Sequence, residues 1–138
     1  TLWEGRYRSC LVQPGHYLLE VCRYIELNPV RLLLVSHADD YKWTSFQINA
    51  KGKPSALCKP HGEYLKLGET KAECSEKYQT FCEQSTNKEL LKEIRDSTNK
   101  GLAIGDDSFK MEVEKMTGRR VRPLKSGRPF GWRKEKHI

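Results

Sequence analysis

The charge of this chain is divided, and the division limits which part of it can fold. The formal net charge is +7, from 25 Lys and Arg against 18 Asp and Glu. Eight of those cations and a single acid, Glu135, lie between Arg119 and Ile138, which leaves 17 of each sign in the first 118 residues. A segment so charged, with Pro123 and Pro129 among its glycines and serine, buries too little apolar surface to offset the entropy of ordering it. It reads as an extended or disordered tail. The core therefore has to come from the neutral body, which is long enough for one modest domain.

Several classes are excluded by the same inspection. The longest apolar run, Leu32-Leu33-Leu34-Val35, is far too short to span a bilayer. No charged-then-apolar leader opens the chain, so the expectation is a cytoplasmic protein without a membrane partner. The five cysteines (10, 22, 58, 74 and 82) are odd in number and never form Cys-x-x-Cys, which fits reduced thiols. Cys58 with His61, followed by Cys74 and Cys82, is the nearest approach to a metal cluster. A zinc site wants a tight second pair, and these two are eight apart, so scattered thiols are the better reading.

Residues 6 to 12 alternate loosely before Pro14-Gly15, which predicts a short strand ending in a turn. Leu18, Val21, Cys22 and Ile25 recur at i, i+3, i+4 and i+7, the apolar face of a helix from about His16 to Leu27. Pro29 restricts Asn28 and ends or kinks that helix. Residues 36 to 60 predict an ordered loop pinned by Tyr41, Trp43 and Phe46, passing into a linker at 51–60. The part beyond is helical: a short piece at 61–67, a longer one from about Thr70 to Gln84, and two more at 87–100 and 108–117. Thr86-x-x-Glu89 supplies a capping box for the first of this last pair, with Leu90, Leu91, Ile94 and Thr98 inward. Gly101 and Gly118 supply the stops, and Phe109, Val113 and Met116 form the inner face of the second. The organisation expected is a body at 1–50, the linker, a helical region at 61–118 and a basic tail at 119–138.

The face of the first helix opposite its apolar stripe shows Tyr17, Glu20, Tyr24 and Asn28. Tyr24 and Asn28 stand one turn apart and project the same way. One reading is an ordinary amphipathic helix with half-solvated aromatics. The other is a tyrosine nucleophile beside an amide that helps to ligate a metal. A phenol suits reversible DNA cleavage because it is acidic enough to leave its phosphate ester again when a 3′-hydroxyl attacks. At its ordinary pKa of about 10 it needs a hard cation on the scissile phosphate, acting as a Lewis acid.

The strings TLWEGRYRS, YLLEVCRYIELNPVR, DYKWTS and GRRVRPLKSGRP, in this order and at these distances, closely resemble the REP-associated tyrosine transposases. These are single-tyrosine HUH transposases of bacterial insertion sequences, and the resemblance runs from Thr1 to about Pro129. It implies an α+β fold: the C-terminal part of a ferredoxin-like catalytic domain, made of a short strand and the nucleophile helix, then a mostly helical region and the basic tail. It implies a transposase that cleaves and rejoins single-stranded or hairpin DNA through a 5′-phosphotyrosine. Tyr24 takes the position of the nucleophile and Asn28 that of a metal-site contributor, with Mg²⁺ or Mn²⁺ as the cation.

The family's metal is held mainly by a His-hydrophobic-His pair upstream of the LWEGR string, and no His-x-His occurs here. His16, His37, His61 and His137 are isolated. The chain also starts without Met. The expectation is a truncated family member, inactive alone, whose site a complementing N-terminal segment or a second protomer would restore.

Cations spaced along a chain can follow a phosphate backbone, and aromatics can stack on unpaired bases. In the tail the candidates are Arg119, Arg120, Arg122, Lys125, Arg128 and Arg133, with Trp132 for stacking. The plainer alternative is a solubilising extension. Ser126-Gly127-Arg128-Pro129 only partly matches a minor-groove hook, since the first arginine is absent. In the body, Arg6, Arg8, Arg23 and Arg31 are candidates for phosphate contacts near Tyr24, with an equal case that they pair with Glu4, Glu20 and Glu26. The two capped helices resemble a helix-turn-helix in outline, but their mixed charge fits a plain helical hairpin better than a recognition helix. A non-catalytic DNA-binding module is the alternative to a transposase.

Overall fold

The computed structural model describes residues 5–124, and these form seven helices: α1 (His16–Glu26), α2 (Asn28–Arg31), α3 (Phe46–Asn49), α4 (Gly62–Leu65), α5 (Lys71–Glu83), α6 (Lys88–Lys100) and α7 (Asp107–Thr117). A single 3-10 turn, Ala38–Asp40, lies between α2 and α3. The helices begin on side-chain caps where the sequence supplies them. Thr70 accepts the Glu73 N–H, Asn87 that of Glu89 and Asp106 that of Phe109. The cap of α6 is Asn87, so the Thr86–Glu89 capping box is not used. Gly101 and Gly118 close α6 and α7 at φ of 65°, a conformation glycine adopts without penalty.

The ferredoxin-like expectation is overturned. No sheet occurs among the described residues, and the predicted strand survives as one parallel bridge between Val12 and Ile104. The Gln13 amide donates to the Ile104 carbonyl and the Ile104 amide to the Leu11 carbonyl, each at 2.8 Å. The physical reason lies in the rest of the body, which becomes helical straight after Pro14-Gly15 and offers no second alternating run to extend the ladder. On the far side, the Ala103 amide donates to the Val121 carbonyl at 3.0 Å. Three distant backbone pieces thus meet in a narrow row.

The main core gathers Ala38, Phe46, Ala50, Tyr64, Cys74, Tyr78 and Cys82, with Leu19, Cys22, Leu27 and Val30 packed against it. A smaller one beneath the α6–α7 turn holds Ala103, Val113 and Val121 with Phe109. Val121 and Arg122 fold back onto α7 through Glu114, so the first residues of the basic segment belong to the body. Met116 and Trp43, expected inward, are 78% and 76% exposed.

α1 carries a correction with consequences. Its buried positions are Glu20, Arg23 and Glu26, while Ile25 is 57% exposed. Leu19 and Cys22 face the core, so the inner stripe is displaced by one residue from the apolar one, a rotation of about 100°. Charge is tolerated there because Glu20, Arg23 and Glu26 each have partners, with Arg23 Nε the one nitrogen of that guanidinium buried without a hydrogen bond. Arg23 pairs with Glu20 at 2.5 Å, donates to the Phe81 carbonyl at 2.8 Å and stacks on the Phe81 ring at 4.3 Å. Glu26 accepts from Ser45 Oγ (2.5 Å), Asn49 Nδ2 (2.7 Å) and Tyr78 Oη (2.9 Å). This carboxylate ties α1 to α3 and α5.

Candidate nucleic-acid interface

Tyr24 lies in the last turn of α1, half-buried, on a helix that stops at Glu26. The stop follows from Pro29, which has no N–H for the carbonyl one turn back. The chain nevertheless continues its helical course through Leu27 (φ −89°, ψ −2°) into α2, which places Arg31 at the end of the next turn. From there the Arg31 guanidinium reaches back: Nη2 donates to the Tyr24 carbonyl, and the group stacks over the Tyr24 ring 4.4 Å from its centroid. A cation thus sits directly on the phenol.

Burial holds the Arg31 side chain below the usual guanidinium range; the Tyr24 phenol opposes that effect, and the nearby charges of Arg95 and Arg23 add to it. Its Nε is buried without a hydrogen-bond partner. No carboxylate among the described residues lies within salt-bridge distance of Arg31. Its charge is therefore available to an anion arriving at Tyr24.

The other candidates divide into three groups. Arg8 is exposed and donates through Nη1 to Asn99 Oδ1 on α6, a neutral partner. Arg6, Arg119 and Arg120 are exposed. Arg23 is only 2% exposed and paired with Glu20, and Arg122 forks onto Glu114 Oε2 with Nε at 2.9 Å and Nη2 at 2.6 Å. Both are engaged with a carboxylate. Lys125, Arg128, Trp132 and Arg133 lie outside the described residues.

Asn28 opens α2. Among the described residues no three His, Cys, Asp or Glu side chains converge as a metal-holding group, so Asn28 has no such set beside it. Among the described residues the donors around Asn28 do not make up a Mg²⁺ or Mn²⁺ ligand set. His16 approaches Glu20 at 3.5 Å, and His61 caps α4 by accepting the Glu63 N–H on Nδ1. The five cysteines are free, and burial raises the thiols of Cys22 and Cys82, the latter to about 12. No described helix is long and apolar enough to cross a membrane.

Two features escaped sequence reasoning. One is the inward charge of α1, whose only signal was the i, i+3, i+6 spacing of Glu20, Arg23 and Glu26. The other is Arg95, which reads as an ordinary surface cation until α6 is placed beside Arg31. No protein family, curated protein or solved structure matches this chain.

Proposed function

We propose that this chain is the DNA-holding part of a single-tyrosine transposase: it binds single-stranded or hairpin DNA and presents Tyr24 to a backbone phosphate. The observation that carries the reading is the Arg31 guanidinium stacked on the Tyr24 ring without a carboxylate among the described residues to neutralise it. A phosphodiester approaching the phenol would meet that charge, and guanidinium is the group best shaped to take phosphate oxygens in pairs. In the complete reaction the Tyr24 Oη–P bond forms as the P–O3′ bond breaks, leaving a 5′-phosphotyrosine and a free 3′-hydroxyl. Attack by that hydroxyl on the ester reverses it.

A second reading, binding without cutting, is favoured for this chain by the lack of converging metal ligands among the described residues. The two are separated by incubating a labelled hairpin oligonucleotide with the chain and Mg²⁺ or Mn²⁺. Binding without cleavage is the expected result. A covalent Tyr24–DNA adduct would mean that the chain cuts by itself. Failure to bind the oligonucleotide at low salt would remove the DNA reading altogether.

A further inference from the structure

α6 has two unlike polar faces. Lys92, Asp96 and Lys100 line the cleft toward α7, whose floor is Leu102 and Ala103, and there Glu93 pairs with Lys110 at 2.6 Å. Acids and cations on that side compensate one another. Arg95 and Asn99 are one turn apart and belong to the other side. Asn99 Oδ1 accepts from Arg8, and Cys10 Sγ lies 3.7 Å from Thr98 Oγ1, so the segment before α1 runs against this face of α6. Arg8 and Cys10 both reach that face of α6. Arg95 is exposed and has no carboxylate within salt-bridge distance among the described residues. It also stands near enough to Arg31 for its charge to act on that guanidinium. Arg31 thus stacks on Tyr24, Arg95 acts on Arg31 through its charge, and Arg8 is held on the same side of α6 by Asn99; none of the three is paired with a described acid.

We propose that α6 forms the second wall of the DNA path: Arg95, with Arg8 held in place by Asn99, binds backbone phosphates flanking the one presented to Tyr24. The inference rests on the DNA-holding function proposed above and adds a partner surface to it. Like charges brought together without acids cost stability, and that arrangement persists where an anion relieves it. The ligand that fits is a polyanion with phosphates repeated along a strand, because the cations lie in separate elements rather than around one pocket. Asn99 acts as a positioning residue, since its carbonyl oxygen orients Arg8 and carries no charge of its own.

The test is a fluorescence anisotropy titration of the full chain with a fluorescein-labelled single-stranded oligonucleotide containing a hairpin, over a series of salt concentrations. Arg95→Gln removes one phosphate contact, so affinity at 0.1 M salt is expected to fall about 5- to 10-fold. The slope of log K against log salt will flatten by about 0.7, the value for one single-strand phosphate. Arg95→Lys keeps the charge and is expected to keep the slope. Asn99→Ala is expected to weaken binding in the parent but to add nothing in an Arg8→Gln background, an outcome that a purely structural role for Asn99 would not produce. Arg95 is exposed, so melting temperature serves to show that each variant is folded. Unchanged affinity and slope in Arg95→Gln, with Arg31→Gln still weakening binding, would overturn this inference and leave the proposed function standing. No binding by the parent chain would overturn both.

Discussion

Tyr78→Phe removes one oxygen from the interior and leaves the ring, which makes it a sharp test of the buried carboxylate. Tyr78 is 1% exposed and Glu26 0%, and the hydroxyl donates to Glu26 Oε2 at 2.9 Å. Without it Glu26 keeps only the Ser45 and Asn49 donors. A hydrogen bond to a buried charged group contributes about 1.5–3 kcal/mol, and water cannot enter so tight a site to replace it. For a body of this size each kcal/mol corresponds to roughly 3–5 °C, so Tm at pH 8 is expected to fall by about 5–15 °C. The pH dependence has a definite sign. Burial lifts the Glu26 carboxyl above its ordinary value, while the Ser45, Tyr78 and Asn49 donors pull it back down. A carboxyl raised in the folded state is favoured there in its protonated form, so its ionisation costs stability as pH rises through the folded pKa. Tyr78 reduces that cost, and its removal therefore hurts most where Glu26 is ionised. On acidification toward the ordinary carboxylate range the penalty shrinks toward that of a neutral hydrogen bond, about 1 kcal/mol. Melting followed by circular dichroism at pH 8 and pH 5 reads both numbers. Equal melting of parent and variant at pH 8, or a penalty that grows on acidification, would refute the account of α1.

Gly105→Ala is expected to destabilise strongly, by about 2 kcal/mol or more, because a Cβ there meets Gln13 Oε1 and Phe109 Cδ1 at 2.6 Å and φ is 155°; urea unfolding checks it. Leu33→Gly is expected to stabilise by about 0.5–1 kcal/mol, since Leu33 holds a φ of 57° while its side chain is 90% exposed. A loss of stability in the same denaturation assay would show that the leucine makes a contact worth more than its strain. Asp106→Asn is expected to lower Tm at neutral pH and to converge with the parent in acid. The backbone N–H of Phe109 and the Gln13 amide hold the Asp106 carboxyl below its ordinary value, so its contribution is complete above that value and lost as pH falls through the folded one. Deleting residues 125–138 is expected to weaken DNA binding and flatten its salt dependence; unchanged affinity would assign binding to the body alone.

Local signals in the sequence proved reliable where they were chemical. Gly101 and Gly118 end α6 and α7 in the left-handed conformation open to glycine, α1 stops three residues before Pro29, and Ile94 and Val113 are buried as their spacing requires. What could not be read was the choice of face on α1. Hydrophobic periodicity presumes that charge stays outside, and here the pocket formed by Ser45, Asn49 and Tyr78 makes charge the better occupant. Those partners lie 19 to 52 positions away in sequence, so no local pattern reveals them. The sheet failed for the opposite reason. Alternation over residues 6–12 predicts a strand, but a strand needs neighbours to pair with, and among the described residues only the short segment at 102–104 lies alongside, so a single bridge at Val12 remains. Arg31 was legible only as one of four candidates for phosphate contacts near Tyr24, without its stacking on the ring; Arg95, 64 positions further on, was not legible at all.

The narrow row joining residues 11–13, 103–104 and 121 has a consequence for how the chain withstands damage. Residues 51–60 are exposed throughout, which makes them a natural place for a protease to enter. A cut there separates the chain covalently into two pieces, yet each would keep its grip on the other. The first piece carries Gln13, which exchanges hydrogen bonds with Asp106, and Glu26, which is bound by Tyr78. The nicked protein is therefore expected to migrate as one species under native conditions and as two in denaturant, and two fragments produced separately are expected to reassemble when mixed.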